Sequence, residues 1–251
     1  MTETLLKVSN LFKKFSDHDS YYALKGINFD LLKGECLGII GENGSGKSTL
    51  SRIITLLETP TQGDVCFQGS SILDYNKKAK RAYYKDVQMI FQNPYASFNP
   101  LKTFGYSLKN VYHNQGYPSQ KGESAALQLL ERVRLDASFM KRYPHQVSGG
   151  QCQRVAIARA LAASPKLLIC DEITSDLDMI TKTSIVELVG ELQKAYDLTV
   201  LFISHDIGLV KYLCDRILVL KNGEILEEGS VQKVFKNPQH PYTQQLIDYG
   251  L

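Results

Sequence analysis

At 251 residues the chain sits at the upper edge of what one α/β domain usually holds, so one large domain, or a domain plus a subdomain, is expected. Its 43% hydrophobic and 22% charged residues are those of a globular protein that buries a core, which excludes a disordered, collagen-like or coiled-coil chain. Lys plus Arg (29) exceed Asp plus Glu (26) by only +3, too little for binding nucleic acid or an anionic membrane through bulk charge.

Residues 5–29 and 63–69 have the character of antiparallel strands broken by turns. Between them, the apolar run Cys36–Ile40 is followed by a helical pattern over 48–57. The basic run of Lys77, Lys78, Lys80 and Arg81 after Asn76 reads as a solvated helix face, with a phosphate-rich partner as the alternative. Another apolar run covers 87–91. From 95 to 145 the strand signal vanishes and polar helical sequence with Gly and Pro takes over. This predicts a helical subdomain at 95–147 inserted into a single domain spanning 1–251. A further helix carries Val155, Ala158 and Leu161 on one face. Apolar runs at 167–171, 199–204 and 216–220 follow, and Ile185, Leu188, Val189 and Leu192 form the stripe of a helix over 182–194. Lys221, Asn222, Gly223 and Glu224 between apolar runs signal a hairpin. Strands alternating with helices imply an α/β fold with a mostly parallel sheet covered on both faces.

Cys36, Cys66, Cys152, Cys170 and Cys214 are far apart in sequence and read as small buried hydrophobes in a reducing compartment, not as a metal or redox motif. The first fifteen residues do not form a signal peptide, and no run of about 18 apolar residues spans a bilayer. A cytosolic chain, or one held to a membrane by partners, is expected.

Three segments carry chemistry. Gly41, Glu42, Asn43, Gly44, Ser45, Gly46, Lys47, Ser48 and Thr49 lie between a predicted strand and a predicted helix, the setting of a phosphate loop. Glycines let backbone N–H groups turn inward as an anion nest, and the following helix aims its positive end at the same point. Lys47 can then meet β- and γ-phosphates and the Ser48 hydroxyl can ligate Mg2+. The run at 167–171 ends in Asp171 and Glu172; a buried strand ends in two carboxylates for a reason, and a metal supplies one. Asp171 fits a Mg2+ partner and Glu172 a base for the attacking water. Ser148, Gly149, Gly150 and Gln151 open a second helix whose capped start can also receive an anion. One nucleotide pocket needs only one such helix start.

With these motifs in this order, the sequence resembles the nucleotide-binding subunit of an ABC transporter over nearly its whole length. Residues 41–49 resemble Walker A, Gln92 the Q-loop, Ser148–Gln151 the signature, 167–171 Walker B, Ser175 to Asp178 the D-loop, and His205 the switch histidine. The resemblance implies a P-loop ATPase cassette with a mostly parallel core sheet, an antiparallel β subdomain and an inserted helical subdomain. It also implies a head-to-tail dimer in which the signature of one subunit closes on the partner's ATP. Gln92, His205 and Asp171 would then attend Mg2+, water and γ-phosphate, Glu172 would be the general base, and Phe15, with Tyr22 as rival, would stack on adenine. Ile173 and Asp176 depart from the family pattern. A carboxylate at 176 on the dimer seam is unfavourable unless answered from across it, which favours a heterodimer with a dissimilar ATPase.

The segments around 92–100 and 237–243 resemble the peptide and nickel importer branch, and residues 173–179 lean toward nickel or a related metal, chelated or not, with oligopeptides as the alternative. Two integral-membrane permeases, contacted through about 92–106, an extracellular solute-binding protein and a peripheral place on the cytoplasmic face of the membrane are implied, with no nucleic acid. A soluble ABC-type ATPase of repair or translation would need a coiled-coil insertion or a second cassette, and a GTPase would need a carboxylate after Asn76 and Lys77 that is missing. Ser204, His205 and Asp206 are adjacent and cannot align as a hydrolase triad. His18, His113, His145 and His240 show no ligand spacing and read as surface or capping residues.

Overall fold

A computed structural model describes residues 3–16 and 21–249, so His18 lies outside the described residues. In chain order the elements are β1 (Thr4–Lys13), β2 (Leu24–Leu32), β3 (Cys36–Ile40), α1 (Lys47–Ile54), β4 (Gln62–Phe67), β5 (Ser70–Ser71), α2 (Lys77–Asp86) and β6 (Val87–Ile90). There follow α3 (Phe104–Asn114), α4 (Ser119–Arg132), α5 (Gly149–Leu161), β7 (Leu167–Asp171), α6 (Met179–Tyr196) and β8 (Thr199–Ile203). The chain continues through α7 (Ile207–Leu213), β9 (Arg216–Lys221), β10 (Glu224–Ser230), α8 (Val231–Lys236) and α9 (Pro241–Tyr249).

The short apolar runs form one six-stranded sheet in the order β10-β9-β3-β8-β7-β6, parallel except for the edge strand β10. They read as continuous apolar runs because both faces are buried. Cys36, Ile40, Leu168, Cys170, Val200 and Phe202 point into one core with α5, α6 and α7, while Leu37, Ile39, Leu167, Ile169, Leu201 and Ile203 point into a second core with α1. That second core is closed by an antiparallel sheet of order β2-β1-β4-β5. Between β6 and β7 the described chain is all helical, and Phe104, Leu108 and Leu130 of α3 and α4 share the first core. No helix among the described residues is long and apolar enough to cross a membrane.

Helix ends follow local chemistry. Helix α1 stops at Ile54, short of the expected 57, because Leu56 turns left-handed with φ 58°. Helix α6 outruns its expected 182–194 because Asp178 caps its start and Asp197, with φ 51°, ends it. Asn222 and Gly223, both with positive φ, make the tight β9–β10 hairpin. Asn76 caps α2 by accepting the Ala79 N–H, and Lys77, Lys78 and Arg81 are exposed as expected of a solvated face. Two cysteine expectations change: Cys66 is only half-buried, and the fold brings Cys36 Sγ to 3.5 Å from Cys214 Sγ although 178 residues separate them.

Candidate active site

Parallel strands put all their carboxyl ends on one rim of the sheet, and four of them open there into polar loops: Gly41 after β3, Gln92 after β6, Glu172 after β7 and His205 after β8. Gly41 and Gly46 have φ of 154° and 108°. A Cβ on Gly41 would stand 2.1 Å from the Leu220 carbonyl oxygen, and one on Gly46 would stand 2.5 Å from that of Ala23. Strand β9 and the start of β2 therefore wall the loop in, and only glycine fits. Gly46 caps α1 with no side-chain bond, so the helix's first N–H groups and positive end are aimed at the loop.

Lys47 folds back into this loop. Its Nζ donates to Gly41 O at 2.8 Å and Glu42 O at 2.9 Å, and lies 3.6 Å from Glu172 Oε1. The side chain is buried; burial pushes its ammonium below the usual lysine range, and the Glu172 carboxylate opposes that shift. One turn of α1 separates Ser48 from Ser51, so both hydroxyls share a face: Ser48 Oγ stands 3.4 Å from Asp171 Oδ1, and Ser51 Oγ donates to Oδ2 at 3.0 Å. Burial pushes the Asp171 carboxyl up, and the Ser51 bond pulls the other way. Ser51 was not foreseen from the sequence, although its position three after Ser48 was the available signal.

Glu172 has a left-handed φ of 50°, uncommon for a residue with a Cβ. Its N–H still pairs with Ile203 O at 2.9 Å, while its second carboxylate oxygen faces His205 Nδ1 at 3.6 Å. Lys47 and His205 thus flank the two oxygens of one carboxylate. Ser45 Oγ and His205 Nδ1, both buried, make no hydrogen bond among the described residues. Phe15, Asn43, Thr49 and Gln92 complete a cleft of about 410 Å3 with Lys47 and Glu172. Of the two expected aromatics Phe15 lines the cleft, at 59% exposure; Tyr22 instead packs edge-on against Phe12. Tyr21, which sequence reasoning passed over, also lines the cleft and donates to Gly44 O at 3.3 Å.

The second anion-ready helix start does not line this cleft. Ser148 caps α5 reciprocally with Gln151: the Gln151 N–H donates to Ser148 Oγ at 3.3 Å, and the Ser148 N–H to Gln151 Oε1 at 3.1 Å. Gly150 is packed so closely on α6 that a Cβ would meet Thr181 Cγ2 at 2.4 Å. Asp178 spends its carboxylate on the start of α6, accepting Thr181 N–H and Oγ1–H at 3.0 and 2.7 Å, bonds that hold it below the usual carboxylate range. Cys152 is buried inside α5, and burial pushes its thiol up to about 12. Ser204 Oγ accepts the Asp206 N–H and Asp206 caps α7, while His205 faces Glu172, so the three adjacent residues at 204–206 do not align as a triad.

The chain matches the ABC transporter family over residues 24–175. It is 39% identical over 234 residues to the dipeptide transport ATP-binding protein DppF of Haemophilus influenzae, covering 93% of this chain and 72% of that one. It is 40% identical over 256 residues to the oligopeptide transport ATP-binding protein AppF of Bacillus subtilis, covering 98% and 78%. Among solved structures, the ATP-binding cassette MJ0796, a dimer in a post-hydrolysis state bound to ADP and Pi, aligns with a TM-score of 0.81 at 32% identity over 90% of this chain and 99% of that one. With a glycine-walled loop, a buried lysine and a strand-end carboxylate pair inside the matched segment, the chain belongs to the ABC transporter family and is one of its ATP-hydrolysing cassettes.

Proposed function

We propose that this chain is the ATPase subunit of a peptide importer, converting ATP binding and hydrolysis into movement of separate permeases. The observation that carries the substrate class is the alignment with proteins named for dipeptide and oligopeptide transport over 93% and 98% of the chain. It favours peptides over the nickel preference drawn from residues 173–179. No residue of this chain is assigned to the transported solute.

In this reading the loop N–H groups of residues 41–49 and Lys47 hold the phosphates of ATP, and Phe15 stacks on adenine. Glu172 accepts a proton from the water that attacks the γ-phosphorus as the bond to ADP breaks. His205 holds the γ-phosphate, and Gln92 orients the water. The residues fit Mg2+: Ser48 and Gln92 offer neutral oxygens, and Asp171 offers a buried carboxylate whose ionised form burial disfavours, a cost that a divalent cation relieves. Mg2+, when bound, neutralises charge on the phosphate oxygens.

Ser148–Gln151 would close on the ATP of a second ATPase subunit, as their absence from the chain's own cleft supports. Met179 and Ile180, 68% and 84% exposed beside Asp178, give that contact apolar surface, and the exposed Asp176 favours a dissimilar partner. Tyr95, Leu101 and Tyr106, all exposed, offer a surface within 92–106 for the permeases, and exposed apolar side chains there support a chain held peripherally at the cytoplasmic face, with an extracellular binding protein on the far side. The test is uptake in a strain lacking this subunit, with labelled di- and tripeptides and Ni2+ offered in parallel. Loss of peptide uptake restored by the wild-type chain but not by Glu172→Gln is expected; loss of Ni2+ uptake alone refutes the peptide reading.

A further inference from the structure

The tail at 237–243 serves in the sequence only as a resemblance, yet the fold takes it to the phosphate loop. The Glu42 N–H donates to the hydroxyl oxygen of Tyr242 at 3.1 Å, 200 residues along the chain. The carbonyl of the same peptide unit, Gly41 O, accepts Lys47 Nζ at 2.8 Å. A trans peptide is planar, with C=O and N–H pointing in opposite directions. Tyr242 and Lys47 therefore grip one rigid plate from its two sides, and the tyrosine fixes the orientation of the carbonyl to which the lysine is tied.

Tyr242 is itself firmly held. Glu227 of β10 accepts the N–H groups of Gln239 and His240 at 2.9 and 3.0 Å, and His240 Nδ1 accepts the Tyr242 N–H at 3.0 Å. The Lys221 ammonium lies 3.9 Å from the centre of the tyrosine ring. The side chain is 4% exposed, and Leu246, one turn further along α9, lines a cavity with Gly41, Glu42 and His205.

We infer that Tyr242 is a positioning residue for the ATPase reaction: its hydroxyl orients the Gly41–Glu42 peptide and, through it, Lys47, so that the C-terminal tail sets the chain's affinity for ATP. This rests on the ATP-site reading above. The test compares full-length wild type, Tyr242→Phe and Lys47→Ala for MgATP affinity by calorimetry, for KM and kcat, and for thermal midpoint without nucleotide. Tyr242→Phe keeps the ring and removes one acceptor, so ATP affinity falls about 3- to 10-fold, the size of one neutral hydrogen bond. KM rises in step, while kcat stays at the wild-type value and the thermal midpoint falls by no more than about 5 °C, the cost of one hydrogen bond in the free protein. Lys221→Met, which leaves the hydroxyl in place, shifts KM in the same direction by less.

Unchanged affinity in Tyr242→Phe, with Lys47→Ala still weakening binding at least about 100-fold, overturns the positioning role alone. A lost affinity accompanied by a larger fall in thermal midpoint, beyond about 5 °C, assigns the tyrosine to packing and likewise overturns it. Unchanged affinity in Lys47→Ala overturns the ATP-site reading beneath it.

Discussion

Replacing Lys47 by alanine separates binding from folding more cleanly than any other change in this molecule. Its Nζ bonds two loop carbonyls and faces Glu172, all within one buried pocket. On arrival of ATP the ammonium exchanges part of that set for phosphate oxygens, at about 1.5–3 kcal/mol for each hydrogen bond to a charged group. Two such contacts total about 3–6 kcal/mol, so Lys47→Ala is expected to weaken MgATP binding by roughly 10²- to 10⁴-fold. Stability should not fall in proportion, because burial already disfavours the charged lysine, as its lowered pKa shows. A folded-state pKa below the ordinary lysine value means the charged form is penalised at all lower pH and relieved only as pH climbs from the folded value toward the ordinary one. Calorimetric titration with MgATP beside thermal melts without nucleotide checks both halves. Affinity within threefold of wild type would falsify the assignment of Lys47, and a collapsed melting midpoint would show that its role is structural.

Glu172→Gln keeps the shape and removes the base, so single-turnover assays should show ATP retained and hydrolysis at least about 100-fold slower, with an ATP-dependent shift to dimer in gel filtration. Near-wild-type turnover would place the base elsewhere. Asp171→Asn removes a carboxylate whose folded pKa lies above its ordinary value. Below the ordinary value the wild type carries no penalty; the penalty grows as pH rises from the ordinary value to the raised one and is constant above it, so the variant's relative stability should increase from about pH 4 and then level off in metal-free buffer. Chemical denaturation at several pH values showing the opposite slope would remove the burial argument. Gly150→Ala drives a methyl to 2.4 Å from Thr181 Cγ2 and should cost about 1–3 kcal/mol in denaturant melts. Adding Thr181→Ser deletes that methyl, keeps a hydroxyl for the 2.7 Å bond to Asp178, and should restore most of the loss; no rescue would mean that the strain lies elsewhere.

Much of the molecule was legible in the one-dimensional pattern because its decisive features are local. Residues 41–49 carry their glycines, lysine and hydroxyl in one short loop, and the capped start at Ser148–Gln151 spans four residues, so spacing alone announces both. The apolar runs at 36–40, 167–171 and 199–204 announced the buried parallel sheet, since strands covered on both faces lose the alternation that marks half-exposed ones. What sequence could not supply was contact between segments that only folding makes neighbours. The choice between Phe15 and Tyr22 depended on which ring β1 and the loop after it carry to the cleft, and that is a matter of packing. Ser51 joined the site because α1 docks beside the end of β7, and Cys36 met Cys214 because α7 returns under the start of β3. Tyr242 reached Glu42 because, after β10 runs antiparallel to β9 to the far rim beside Arg216, α8 and the turn held by Glu227 bring the tail back to the phosphate loop. Helix starts, turns and periodicities are set by bonds a few residues long and are therefore written in the chain, whereas the partners of Asp171, Lys47 and Tyr242 are set by how closely the sheet and its helices can approach, which no stretch of sequence specifies by itself.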